Sequence, residues 1–200
     1  MSYDAIKIKS KAFELPDNFN SIQNLIITSK NAWEAIKNRD TTIANSIKKK
    51  RFFCVGAKLK RIIEDTGSNV VEVADNASAL AEKIYNQYKA ESFLFLCGNL
   101  RRDELPDLLT KHQVSYIEKI VYHTTFNYQK FNRTFDGILF ASPSAVQSFC
   151  KVNNIGDSTA FCIGTTTAGE AKKHTKNYMI ANHPSIESMI VQAIKTFRKS

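Results

Sequence analysis

Three segments of this 200-residue chain occur twice, in the same order and at nearly the same spacing. Asn24-Leu25-Ile26-Ile27-Thr28-Ser29-Lys30-Asn31-Ala32-Trp33 is loosely echoed by Gly137-Ile138-Leu139-Phe140-Ala141-Ser142-Pro143-Ser144-Ala145-Val146. Phe53-Cys54-Val55-Gly56-Ala57 is echoed by Phe161-Cys162-Ile163-Gly164-Thr165, and Asn76-Ala77-Ser78 by His183-Pro184-Ser185. The offsets are 113, 108 and 107 positions. Ordered matches at a nearly constant offset point to an internal duplication. Whatever the first half folds into, the second half must be able to fold into as well. Two lobes of modest domain size, with corresponding loops, are expected.

From Asn24 onward, short apolar runs alternate with helix-patterned segments. The runs at 25–28, 52–55, 70–73, 93–97, 138–141, 161–163 and 178–180 read as strands. Segments 32–38, 58–65, 77–89, 103–111, 145–151, 168–174 and 186–199 read as helices. That rhythm predicts βαβ units and a parallel sheet. The strands are continuously apolar, as strands covered on both faces are. Residues 5–13 and 114–126 break the rhythm with partial period-two alternation, and are expected to pair as an exposed antiparallel ribbon. The expected fold is α/β, with two doubly wound parallel-sheet (flavodoxin-like) lobes joined by a two-stranded β linker. The first lobe would cover 13–119, the linker 5–12 with 120–126, and the second lobe 127–200.

Lys and Arg number 28 against 19 Asp and Glu, a formal net charge of +9. Such a field concentrates anions without choosing among nucleic acid, phosphate and polycarboxylate. The one dense basic run, Lys48-Lys49-Lys50-Arg51, reads as a solvated helix end before a buried strand. Cys54, Cys97, Cys150 and Cys162 form no C-x-x-C pair and read as reduced thiols, mostly in the core. His112, His123, His174 and His183 lack ligand spacing, so no metal is expected. No apolar run approaches the roughly 20 residues of a membrane span, and residues 1–11 lack the apolar stretch of a secretory signal. A cytoplasmic chain, with no membrane or nucleic-acid partner, is the expectation.

Small polar residues follow the strands. Thr28, Ser29 and Asn31 follow the first, Gly56 the second and Gly98-Asn99-Leu100-Arg101-Arg102 the fourth. Ser142-Pro143-Ser144 and Gly164-Thr165-Thr166-Thr167 follow the matching strands of the second half. These are the carboxyl ends of parallel strands, where open α/β sheets bind ligands. Amides at helix starts attract anions; the plainer reading is that Ser, Thr and Asn simply cap helices.

These same residues carry a family resemblance. Leu25-Ile26-Ile27-Thr28-Ser29-Lys30-Asn31-Ala32, Val55-Gly56, Val121-Tyr122-His123-Thr124, the segment from Ile138 to Val146, and Ile163-Gly164-Thr165-Thr166-Thr167-Ala168 resemble uroporphyrinogen-III synthase, the HemD-like family. The resemblance spans most of the chain, from about Ile6 to Phe197. It implies an active site in a cleft between two lobes and no cofactor. It implies a hydro-lyase that cyclises hydroxymethylbilane to uroporphyrinogen III in heme biosynthesis, with inversion of ring D and loss of water. The substrate is a linear tetrapyrrole with eight carboxylate arms, which amides, hydroxyls and a positive field can hold.

The family's tyrosine falls on Tyr122, whose phenol could serve the departing hydroxyl as the catalytic donor. Ser29 and Asn31 match the substrate-facing turn of the first lobe; Ser142, Ser144 and Ala145 match that of the second. Thr167 matches the threonine of the Gly-x-x-Thr-Ala pattern, and Thr166, Gly98 and Arg101 complete the expected substrate contacts. The first-lobe copy of that pattern reads Gly56-Ala57-Lys58-Leu59-Lys60, so its threonine is missing. The second lobe is expected to lack its N-terminal strand-helix unit, which would expose a sheet edge. A monomer is expected, with dimerisation through the incomplete lobe as the alternative. The competing function is a non-catalytic two-lobed binder of a tetrapyrrole or another organic polyanion.

Overall fold

A computed structural model of the chain describes residues 1–37, 39 and 41–198. It divides into two compact units: Ile8–Thr124, and Met1–Lys7 with Thr125–Ser200. The expected helix ends at Asn38 and Lys199, and the end of the second lobe, lie outside the described residues.

The larger unit is built on strands β1 (Ile6–Ser10), β2 (Asn24–Ile27), β3 (Arg51–Val55), β4 (Asn69–Ala74), β5 (Ser92–Gly98) and β6 (Ser115–Phe126). They lie in the order β1-β6-β5-β2-β3-β4, and β6, β5, β2, β3 and β4 are parallel. Counted along the chain from β2, those five run 3-2-1-4-5. This is the doubly wound order in which the connection reverses beside the first strand, not the 2-1-3-4-5 order of flavodoxin. The boundary between the units falls inside β1 and inside β6. Residues 114–126 take two partners: β6 neighbours β1 in the sheet, with the Lys11 N–H donating to the Val121 carbonyl and the Asn127 N–H to the Ala5 carbonyl. From Ser115 to Tyr122, β6 pairs in parallel with β5.

Helices cover both faces of this sheet. Helices α1 (Lys30–Lys37), α2 (Thr41–Lys48) and α3 (Ala57–Glu64) bring Trp33, Ile36, Ile47, Leu59 and Ile63 onto Leu25, Ile27, Phe52 and Leu94. Helices α4 (Ala77–Gln87) and α5 (Glu104–Lys111) bring Leu80, Ile84, Leu105 and Leu109 onto Ile26, Phe53, Phe93 and Phe95. All four residues of β2 are buried, which is why its sequence is apolar without alternation. The basic run behaves differently from its expected solvated state. Lys50 is only 8% exposed; its ammonium donates to the Phe19 and Asn20 carbonyls and lies over the Phe19 ring. Burial pushes its pKa down.

The smaller unit carries β7 (Gly137–Phe140), β8 (Thr159–Cys162) and β9 (Tyr178–Ile180), parallel and in chain order. Helices α6 (Pro143–Cys150) and α7 (Thr165–Ala171) pack on Ile138, Phe140, Ala160 and Cys162. On the other face α8 (Ile186–Phe197) sets Phe197 edge-on against Phe161. The duplication is visible in this packing. In the larger unit Tyr88, just past α4, stands edge-on to Phe53. Asn76 caps α4 through the Ala79 N–H as Ser185 caps α8 through the Ser188 N–H.

Glu72 on β4 accepts from Lys83 at 2.7 Å and from the Tyr88 hydroxyl at 3.1 Å, and the Lys83 bond chiefly holds its pKa below the usual carboxylate range. A depressed carboxyl stabilises the fold above its unfolded pKa, and the contribution disappears as pH falls through the folded value. Glu72→Gln is therefore expected to lower stability at neutral pH by about 1 kcal/mol. In urea melts the gap should close as pH falls below about 4, the unfolded glutamate value. An equal gap at both pH values would contradict the ion pair.

Candidate active site

The carboxyl edge of the larger sheet gathers four of the expected residues within one hydrogen-bonded neighbourhood. β2 ends at Ile27, and Ser29 then caps α1: its Oγ accepts from the Ala32 N–H at 3.1 Å. The same hydroxyl donates to the Tyr122 phenolic oxygen at 3.2 Å. Each hydroxyl has one proton. Ser29 gives its proton to Tyr122, so the phenolic proton of Tyr122 is left for a different acceptor.

Tyr122 reaches that position because β5 makes room for it. The β5–β6 register shifts between Cys97 and Gly98, so that Gly98 faces Tyr122. A Cβ on Gly98 would overlap the Tyr122 ring. The glycine is required here by the close approach of an aromatic side chain rather than by its dihedral angles. Asn99 completes the clamp. Its side-chain oxygen accepts from the Thr124 N–H at 2.7 Å, and its amide donates to the Thr124 carbonyl at 3.2 Å. Val121-Tyr122-His123-Thr124 is thus held by the Gly98-Asn99 pair. The role of Asn99 went unread in the sequence because Gly-Asn after an apolar strand signals only a turn.

Arg101 sits in the same loop but is already engaged. Its Nε donates to Glu118 at 2.8 Å, and a terminal nitrogen pairs with Asp103. The Glu118 bond is the main cause of its raised pKa. A substrate carboxylate would have to compete with both acids. Arg102 is exposed, and Asn31 is half-buried in the first turn of α1.

In the smaller unit Ser142 repeats the Ser29 cap: its Oγ accepts from the Ala145 N–H at 3.1 Å and lies 3.1 Å from Ser144 Oγ. The Ala145 amide, expected as a substrate donor, is occupied by this cap. Ser142 and Ala145 also line an open groove of about 710 Å³ along β7. Thr166 is exposed on the first turn of α7, whereas Thr167 is 2% exposed and turned into the unit. The hydroxyl of Thr167 is placed as a packing group, with no open path to a ligand.

The thiols offer no nucleophile. Burial pushes Cys97 up to about 12, and Cys54, Cys150 and Cys162 up to about 11. Among the described residues no group of three or more His, Cys, Asp or Glu side chains is placed to hold a metal ion. No helix among them is long and apolar enough to cross a membrane.

A family model described as uroporphyrinogen-III synthase HemD matches residues 4–191. The chain belongs to the uroporphyrinogen-III synthase HemD family. A curated relative, the porphyrin biosynthesis protein HemD of Ruminiclostridium josui, is 23% identical over 200 residues. That match covers 90% of this chain but 39% of the relative, so the chain spans about two fifths of that protein's length. Among solved structures, uroporphyrinogen-III synthetase from Helicobacter pylori superposes with a TM-score of 0.78 at 19% identity, covering 96% of this chain and 91% of that one. A mutant uroporphyrinogen III synthase from Thermus thermophilus gives 0.62 at 12% identity, covering 98% and 88%. At these identities the likeness establishes the mixed α/β fold with its parallel sheets.

Two substitutions separate the roles of the clamp. Ser29→Ala is expected to cost about 1 kcal/mol in urea melts through the lost cap, and Ser29→Thr to keep most of it. Gly98→Ala should leave the cap intact yet displace Tyr122, seen as altered tyrosine ring resonances in NMR spectra. An unmoved Tyr122 ring would refute the packing argument.

Proposed function

We propose that this chain is a uroporphyrinogen-III synthase: it binds hydroxymethylbilane and closes it to uroporphyrinogen III with loss of water. The observation that carries the reading is Tyr122. Its ring is seated on Gly98, its oxygen is fixed by Ser29, and its proton is uncommitted, in a chain whose family match runs nearly end to end.

The residues suit the chemistry. Loss of the substrate hydroxyl leaves an electron-poor azafulvene, which a pyrrole carbon attacks. The spontaneous product is the symmetric isomer, so the catalyst must impose the less accessible closure. Holding the reacting carbons in register is the main catalytic demand, and it requires neither a nucleophile nor a cofactor. Tyr122 donates its phenolic proton in a hydrogen bond to the departing hydroxyl, where charge develops. The Ser29 bond fixes the direction of that donor.

The acid arms of the substrate meet donors rather than matched ion pairs. In this reading Ser29, Asn31, Gly98 and Arg101 in the larger unit contact the substrate. Ser142, Ser144, Ala145 and Thr166 do so in the smaller, with Thr167 supporting them from inside the unit. The geometry ranks them. Asn31, Ser144 and Thr166 have side chains least committed to internal bonds, whereas Arg101 must loosen from Asp103 and Thr167 acts by shaping the first turn of α7. The formal charge of +9 favours capture of a polyacid.

The test is an isomer assay with freshly made hydroxymethylbilane. The wild-type chain is expected to enrich the III isomer well above the uncatalysed mixture. Tyr122→Phe should lower turnover by roughly 100-fold or more, the scale of one general-acid contact, with product affinity little changed. Ser29→Ala should lower turnover less, because water can replace the lost bond. A wild-type product mixture identical to the no-protein control would reject the synthase reading, and saturable product binding without isomer selection would support a non-catalytic binder.

A further inference from the structure

The strand that carries Tyr122 loses its inner partner just where the tyrosine stands. From Ser115 to Ile120, β6 pairs with β5 residue by residue; the ladder then slips, Gly98 meets Tyr122, and β5 ends. Val121 is the extra residue, and a bulge of this kind bends its strand and re-aims the side chains beside it. Past the bulge, the N–H and C=O of Thr124 face the side that β5 has vacated. On its other side β6 has β1, an edge strand with four of its five residues exposed. Exposed backbone bonds with little apolar cover hold a strand weakly.

Asn99 fills the vacated place. Its main-chain N–H donates to the Tyr122 carbonyl at 3.3 Å. Its side-chain oxygen accepts from the Thr124 N–H at 2.7 Å, and its side-chain amide donates to the Thr124 carbonyl at 3.2 Å. A carboxamide carries an acceptor and a donor side by side, the same pair that a strand residue offers from its main chain. One side chain therefore stands in for the next residue of β5. An asparagine that merely shapes a turn bonds the backbone about two residues on, whereas Asn99 reaches 25 positions along the chain. Arg101 in the same loop also bonds β6, through Glu118. Glu118, however, lies inside the ladder opposite Phe95 and is held there without the arginine. Thr124 has no ladder on that side, so its hold comes from Asn99.

We infer that Asn99 is a positioning residue for the catalytic phenol: it fixes the aim of Tyr122 through the β6 backbone, with its carboxamide committed to Thr124 rather than to substrate. The inference rests on the synthase reading above. Tyr122 and Thr124, two apart on a strand, point to the same face. The carbonyl of the first is bonded to the Asn99 main chain, and both main-chain groups of the second are gripped by the Asn99 side chain. The base of the tyrosine is thereby fixed, while Ser29 holds its far end at 3.2 Å. The phenolic oxygen stands at the tip of a long side chain, so a small tilt of the strand becomes a larger displacement there. A misplacement of about 1 Å can cost about 100-fold in rate. Gly98 makes room for the ring, and Asn99, the next residue, removes the freedom that the bulge and the end of β5 would otherwise leave it.

A double-mutant cycle in the isomer assay tests this. Asn99→Ala should lower kcat by roughly 10- to 100-fold with KM little changed. In the Tyr122→Phe background the same change should cost less than about twofold, since no phenol is left to aim. Asn99→Asp has nearly the parental shape and keeps an acceptor for the Thr124 N–H, but sets a carboxylate oxygen against the Thr124 carbonyl. It should lose turnover as well, and it carries the test if Asn99→Ala folds poorly. Independently of activity, exchange of the Thr124 amide should quicken in Asn99→Ala, and the Tyr122 ring resonances should move. A wild-type chain that makes no III isomer rejects the synthase reading, and the exchange and ring measurements then decide whether Asn99 aims the phenol. Parental kcat in both Asn99 variants overturns the inference. So do equal losses with and without the Tyr122 hydroxyl, which would mark a merely structural role, and so does a Thr124 amide and Tyr122 ring unchanged by Asn99→Ala.

Discussion

The position of β2 between β3 and β5 is the constraint on which the candidate site depends. Its four residues are buried on both faces and bonded on both edges, so the strand has no freedom in register or direction. Because its neighbours run parallel to it, β2 and β5 end on the same edge of the sheet, and parallel β6 passes Gly98 there at Tyr122. Ser29, Gly98 and Tyr122, far apart in sequence, meet because three strands share one direction. Hydrophobic burial fixes the sheet, and the sheet in turn places the polar groups.

On that edge a short chain of hydrogen bonds gives the phenol its orientation. A serine that was needed in any case to cap α1 also donates to Tyr122. One hydroxyl thus links the stability of a helix start to the aim of a proton donor. The duplicated turn keeps the cap, Ser142 to the Ala145 N–H, and has Ser144 Oγ as its second partner. The two turns have kept the same backbone solution while directing their hydroxyls to different partners.

Much of the scaffold was legible because its strands are buried on both faces. Continuous apolar runs such as Phe93-Leu94-Phe95-Leu96-Cys97 have no other reading at that length between helix patterns. Helix α2 was not legible: Thr41-Thr42-Ile43-Ala44-Asn45-Ser46-Ile47 combines weak helix formers with only three apolar positions, and tertiary packing of Ala44 and Ile47 decides it. The strand order 3-2-1-4-5 leaves no local trace, because every βα unit looks alike whichever neighbour it takes. Lys50 looked solvated because its partners are carbonyls at 19 and 20, invisible to composition. At the site, Tyr122 and Ser29 were named, but their bond was not. Gly98 was named for a loop and proved to be the floor under a ring. Arg101 carries a countercharge pattern that depends on Glu118, on a different strand.

The carboxyl-edge loops, and not the opposite edge, are proposed to receive a tetrapyrrole. The most direct measurement is amide chemical-shift mapping of the labelled chain titrated with uroporphyrinogen III under reducing conditions. Saturable shifts are expected at Ser29, Gly98 and Tyr122 in the larger unit and at Ser144 and Thr166 in the smaller. Shifts confined to the amino ends of the strands, around Arg51 and Asn69, with those five amides unmoved, would contradict that placement.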